Sequence, residues 1–194
     1  MMRLMMACLL AAAPLAAAQD DAKAAIGRTV KDFQLKDVMS EDGKVHSLAE
    51  HKGKKAVVLV WISEKCDITW RYEKRTGELM KEFGKDTQFF AVASSGNDTA
   101  VSIRKYAESK NYGMPVLDDV KSAAAQYFGA TVTPTYMIID KEGVLRYRGA
   151  CDDLQAGKGY SADESTAKER YVHQALKAIL DGKDVPVTER KGFG

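Results

Sequence analysis

Seven consecutive apolar residues, Ala56 to Ile62 (AVVLVWI), constrain this chain more than any other stretch. The run is too short for a helix of useful length and shows no alternation of polar and apolar positions. A valine-rich run of this kind is a strand covered on both faces, which belongs to a sheet sandwiched between helices. It ends in Ser63-Glu64-Lys65-Cys66, after which Ile68, Tyr72, Leu79, Met80 and Phe83 recur on one helical face and Gly84 offers a stop.

The same alternation continues along the chain. Gln88 to Ala93 is a second buried strand, and Gly96-Asn97-Asp98 opens a helix carrying Val101, Ile103, Tyr106 and Ala107. Asp118 or Asp119 can cap a short helix with Val120, Ala124, Tyr127 and Phe128, closed by Gly129. Tyr136 to Ile139 and Val144 to Arg148 flank the turn Asp140-Lys141-Glu142-Gly143, a hairpin signature. A second hairpin lies upstream, with Phe33-Gln34-Leu35 and Lys44 to Leu48 around Glu41-Asp42-Gly43. Thr166 and Glu169 read as a capping box for a last helix that buries Val172, Ala175, Leu176 and Ile179. Early strands joined by helices pair in parallel through right-handed crossovers, and the hairpin adds antiparallel strands. The expected fold is α/β, a mixed central sheet with helices on both faces and an N-terminal β-hairpin extension.

Residues 1–18 stand apart. One positive charge (Arg3), an apolar run and the small-residue end Ala16-Ala17-Ala18 have the layout of a secretory signal peptide. The run falls well short of the ~20 residues that span a bilayer. Cleavage after Ala18 would remove Cys8, leaving a linker over 19–27, one domain over 28–185 and a short tail over 186–194. Lys and Arg number 29 against 27 acidic residues, with no basic stripe, which argues against a nucleic-acid or membrane-surface partner. His46, His51 and His173 are scattered without zinc spacing, so no metal site is expected.

Two cysteines, Cys66 and Cys151, then carry the chemistry. Cys66 begins a helix, where unsatisfied backbone N–H groups and the helix dipole favour a thiolate, and the neighbouring Lys65 can add to that field. Thr133-Pro134-Thr135 enters the strand that starts at Tyr136. Cys66 after a buried strand, Pro134 at a strand entry and the Ile139-to-Gly143 turn together resemble the thioredoxin-like superfamily in its redoxin branch, the alkyl hydroperoxide reductase and thiol-specific antioxidant relatives. The resemblance extends from Gly27 to Asp153 and includes Phe33, Asp42-Gly43, Tyr147-Arg148-Gly149 and Asp152-Asp153. It implies a thioredoxin-like fold, a cis Thr133–Pro134 bond packed against the cysteine loop, and a thiol oxidoreductase working without a cofactor. Cys66 would attack disulfides or hydroperoxides, Ser63 would hydrogen-bond its thiolate, and an external dithiol would recycle it, in the periplasm or outside the cell.

The departures from that pattern matter too. Ser63 stands where the first cysteine of a two-cysteine thioredoxin motif would be, Leu59 replaces the peroxiredoxin proline, and Thr133-Pro134 occupies the region of the peroxide-activating arginine. Cys151, at the end of the Val144-to-Gly149 strand, is expected on the sheet edge that bears the helix start. It is a resolving thiol, half of a structural disulfide, or a thiol too far from Cys66 to pair, since bridging needs Cα atoms within about 7 Å. The rival to an enzyme is a binding domain that uses the Thr133-Pro134 groove and leaves its cysteines idle.

Overall fold

The computed structural model describes residues 23–94, 98–110, 112–119, 121–154 and 166–192. The expected signal peptide, its cleavage point, the first part of the linker, Gly96-Asn97, Val120 and most of the polar loop after Asp153 lie outside them.

Seven strands form one sheet. They are β1 (Gln34–Asp37), β2 (Val45–Ser47), β3 (Ala56–Ile62), β4 (Thr87–Ala93), β5 (Val116–Asp118), β6 (Thr135–Asp140) and β7 (Leu145–Gly149), in the spatial order β2-β1-β5-β4-β3-β6-β7. The apolar run of β3 takes the inner position its composition requires, parallel to β4 and antiparallel to β6, with all seven residues buried. Its side chains alternate between two cores. Val58, Val60 and Ile62 meet α2 (Glu73–Phe83), α3 (Ala100–Lys110) and α5 (Tyr171–Leu180) on one face. Val57, Leu59 and Trp61 meet α4 (Ala123–Phe128) and the segment around Phe33 on the other. The fold is therefore α/β and thioredoxin-like, a mixed sheet with helices on both faces.

The local readings hold where one element decides its own shape. Gly129 ends α4 with φ +75°, and Asp119 caps that helix by accepting the N–H groups of Ala124 and Ala125 at 3.0 and 2.9 Å. They fail where a distant segment intervenes. No helix starts at the Thr166/Glu169 capping box, because Asp153 claims that stretch. Its carboxylate accepts from the Lys168 N–H, and its own N–H donates to the Glu169 carbonyl. The helix α5 begins at Tyr171, and Val172 donates its N–H to the carbonyl of Cys151 at 3.1 Å. Thr99 and Ser102 make the reciprocal cap of α3, and Val101, counted on its buried face, is 65% exposed. The three-residue β5 was not foreseen; it is too short to show a period.

The ends are more closely tied to the domain than their composition suggested. Ala24, in the stretch read as linker, is buried and donates its N–H to the Tyr127 carbonyl at 2.8 Å. The tail runs beside β7, where Arg148 exchanges backbone hydrogen bonds with Thr188 and Arg190. Gly149, at φ +142°, permits this approach, since a Cβ there would lie 1.7 Å from the Arg190 carbonyl oxygen.

Candidate active site

Leaving β3, the chain turns at Ser63, whose carbonyl accepts the Cys66 N–H at 3.2 Å, and then enters α1 (Asp67–Arg71). Cys66 is thus the residue just before the first helical turn, and its sulfur lies beside the backbone N–H groups of Ile68 and Thr69. On the other side, the thiol donates to the carbonyl oxygen of Thr133 at 3.1 Å. The Thr133–Pro134 bond is cis. The register explains the meeting: Thr135 of β6 pairs with Trp61 of β3, so the strand that leads into Cys66 and the strand entered through Pro134 end side by side.

The thiol has an acidity set by opposing effects. Burial, the largest, pushes the Cys66 pKa up. Hydrogen bonds from the side chains of Thr133 and Thr69 and from the backbone N–H groups of Thr69 and Ile68 outweigh it, and the net shift is downward. Thr69 is the residue that sequence reasoning missed. Its hydroxyl is buried and has no partner within strict hydrogen-bond geometry, yet it lies beside the sulfur, one helical turn on. An ionised sulfur is the acceptor that this hydroxyl lacks. The signal was present as Cys66-Asp67-Ile68-Thr69, a cysteine and a hydroxyl separated by two residues, but Ser63 drew attention to the other side.

The remaining sequence candidates are placed differently. The Ser63 hydroxyl accepts from the Lys65 N–H at 3.3 Å, a local turn bond. Lys65, expected to tune the thiolate, directs its ammonium to Asp98 at 3.9 Å. Cys151 is buried in the core with Tyr136 and Tyr147. Both cysteines are free thiols. Next to Cys151 an ion pair closes the interior: Arg75 of α2 meets Asp152 at 2.7 Å, both side chains wholly buried. The Arg75 guanidinium also lies over the Tyr72 ring, whose hydroxyl donates to the Leu154 carbonyl. Glu73 borders the site. Burial raises its pKa, Lys110 lies 3.7 Å away, and it accepts from Tyr106, a phenol itself pushed up to about 12, mainly by burial, with the Cys66 charge a lesser cause.

A half-buried cysteine before the first turn of α1, facing a cis-proline loop across the sheet end, defines a thioredoxin-fold thiol protein of the redoxin type. Residues 26–148 match the AhpC/TSA family model, and the chain belongs to that family. It is similar to the thiol-disulfide oxidoreductase ResA of Geobacillus thermodenitrificans, at 23% identity over 63% of this chain and 67% of that protein. Among solved structures it resembles the hypothetical protein SMc02350 of Sinorhizobium meliloti, with TM-score 0.75 and 26% identity over 88% and 92% of the two chains. It also resembles the exposed lipoprotein thioredoxin Etrx1 of Streptococcus pneumoniae, with TM-score 0.57 and 28% identity over 76% and 98%.

Proposed function

We propose that this protein is an extracytoplasmic thiol–disulfide oxidoreductase that uses one catalytic cysteine, Cys66. The observation that carries the proposal is the position of the sulfur, between the N–H groups of α1 and the Thr133 carbonyl, with its acidity shifted toward thiolate. The thiolate attacks one sulfur of a partner disulfide. The S–S bond breaks, Cys66 is left in a mixed disulfide, and the other sulfur departs as thiolate. One thiolate of an external dithiol then attacks the partner's sulfur and releases Cys66 as thiolate. The second sulfur of the dithiol displaces the partner as thiol, leaving the dithiol oxidised to a disulfide. Electrons balance, and no cofactor is needed. Thr69 holds the ionised sulfur, Ser63 fixes the turn, and the Thr133-Pro134 edge is the groove for the incoming chain.

Cys151 is not given the resolving role in this scheme, because it is 3% exposed and packed in the core with Tyr136. Family membership favours a second oxidant. Attack on a hydroperoxide would yield Cys66 sulfenic acid and an alcohol or water. Among the described residues, the groups that lower the thiol pKa are hydroxyls and backbone N–H groups, so this reaction is expected to be the slower one.

The working compartment is proposed from the leader-like residues 1–18 together with the names of ResA and the exposed lipoprotein thioredoxin. The mature protein, given a small-molecule disulfide, should form a mixed disulfide on Cys66 that a dithiol releases. Mass spectrometry after acid quench locates it. A Cys66–Cys151 bridge in place of the mixed disulfide would restore Cys151 as the resolving thiol. Absence of any adduct on Cys66 would favour the binding domain.

A further inference from the structure

The sheet edge remote from β7 carries a group of side chains that thiol chemistry does not use. Strand β2 alternates exposed, buried and half-buried, so its middle position calls for an apolar residue. The residue there is His46, only 4% exposed. Neither of its ring nitrogens has a hydrogen-bond partner, and the Nε2 of His51, on the 3₁₀ turn Ala49–His51, is buried and lacks one as well. Polar atoms left unpaired inside a protein are costly and uncommon. Two such imidazoles side by side call for an explanation.

The two rings stack with centroids 5.8 Å apart, and each sits 5.0 Å from the ring of Phe90. Glu50, on the same turn, brings Oε2 to within 3.8 Å of His46 Nδ1. One ligand atom from each of His46, Glu50 and His51 falls within 4.8 Å of the others. On the far side of His46, the Asp37 carboxylate lies 3.8 Å from Nε2. Asp37 is itself fixed, since its Oδ1 accepts the N–H groups of Met39 and Val116.

We propose that His46, Glu50 and His51 form a binding site for one divalent transition-metal ion of the zinc class. Two imidazoles and a carboxylate are a donor set that zinc uses, with a fourth position left to water, and Glu50 at the surface gives the ion its entry. Asp37 is the positioning residue. A carboxylate behind a ligating histidine accepts the proton of the non-ligating nitrogen and fixes the ring, and the 3.8 Å gap closes with a small rotation. Bound metal would clip β2 to the turn that follows it. Sequence spacing alone gave no such site. His46 and His51 are five apart, on a strand and a turn, and only the fold brings them together.

The test uses the full mature chain carrying Cys66→Ser and Cys151→Ser, so that neither thiol can bind the metal and the result is independent of the redox proposal. Equilibrium dialysis against chelator-buffered zinc should show one equivalent bound, and cobalt in its place should give visible d–d absorption. Glu50→Gln and His51→Gln should each lower affinity by about 100-fold or more, and Asp37→Asn by about tenfold. His173→Gln should bind like the parent, which separates this site from the His173–Glu82 pair at 3.0 Å. Because Glu50 is exposed, metal-free parent and Glu50→Gln should melt together, and added zinc should raise only the parent. No zinc bound by the parent, or unchanged binding in both Glu50→Gln and His51→Gln, would overturn the proposal and leave the two histidines as ring packing against Phe90.

Discussion

The two cysteines sit in regions of opposite character. Around Cys66 the polar groups are under-used: a half-buried thiol, a buried Thr69 hydroxyl without a strict partner, and backbone N–H groups at the start of a short helix. Around Cys151 the arrangement is closed. Arg75 and Asp152 are paired at 2.7 Å, the Tyr147 hydroxyl donates to the Ala150 carbonyl, and the Cys151 carbonyl caps α5. One region holds donors waiting for a charge, and the other already pairs its charges with each other. Reactivity is expected from the first and stability from the second.

The largest effect that could break this comparison concerns the thiols themselves. Cys66→Ser should abolish disulfide exchange, whereas Cys151→Ser should retain most of it; stopped-flow turnover of a small disulfide measures both. Equal losses in the two variants would mean that Cys151 takes part in turnover and that the closed region opens.

Next in size is the buried ion pair. Arg75→Met leaves Asp152 charged and unpaired, which should cost ~3–5 kcal/mol in urea unfolding. Adding Asp152→Leu should recover much of that loss, since a buried pair replaced by apolar groups is often close to neutral. A loss below about 1 kcal/mol for the single variant would place the pair among solvated surface bridges, whose worth is that small.

A smaller effect sharpens the role of Thr69. Thr69→Val keeps the shape and removes the hydroxyl. One hydrogen bond to a charged group is worth ~1.5–3 kcal/mol, so the Cys66 alkylation midpoint should rise by about one to two pH units. No change would mean that the backbone N–H groups alone hold the thiolate. Thr69→Cys should instead create a two-cysteine motif that oxidises to an internal disulfide, visible as the loss of two thiols.

The smallest effect is on stability as a function of pH. Folding lowers the Cys66 pKa, so the folded state favours the thiolate. Its contribution is fully present above the unfolded thiol value of about 8.5 and is lost as pH falls through the lower folded value. Glu73 has the opposite sign. Its pKa is raised, so it favours folding at acid pH and loses that contribution as pH rises through the folded value. A pH series of unfolding midpoints should show the thiol arm vanish in Cys66→Ser and the carboxyl arm vanish in Glu73→Gln.

The sequence by itself determined the elements whose causes are local, and through them the placement of Cys66. A valine-rich run can only be an inner strand, a cysteine after it starts a helix, and Thr133-Pro134 before an apolar strand marks its entry. Gly129 and the Gly143 turn end elements by their own conformational freedom, with φ of +75° and +78°. Tertiary structure alone decided which side chains meet. Thr69 reaches the sulfur because α1 winds back over Cys66, while Lys65 turns away to Asp98. The capping box at Thr166 yields to Asp153, which competes for the same backbone groups. Arg75 finds Asp152 across 77 positions of chain, and His46 finds Glu50 and His51 around a strand end. Periodicity records which face of an element is buried, because burial follows from one residue's own polarity. It carries no record of partners, because a hydrogen bond or an ion pair depends on two side chains whose distance is set only when the sheet order β2-β1-β5-β4-β3-β6-β7 is complete.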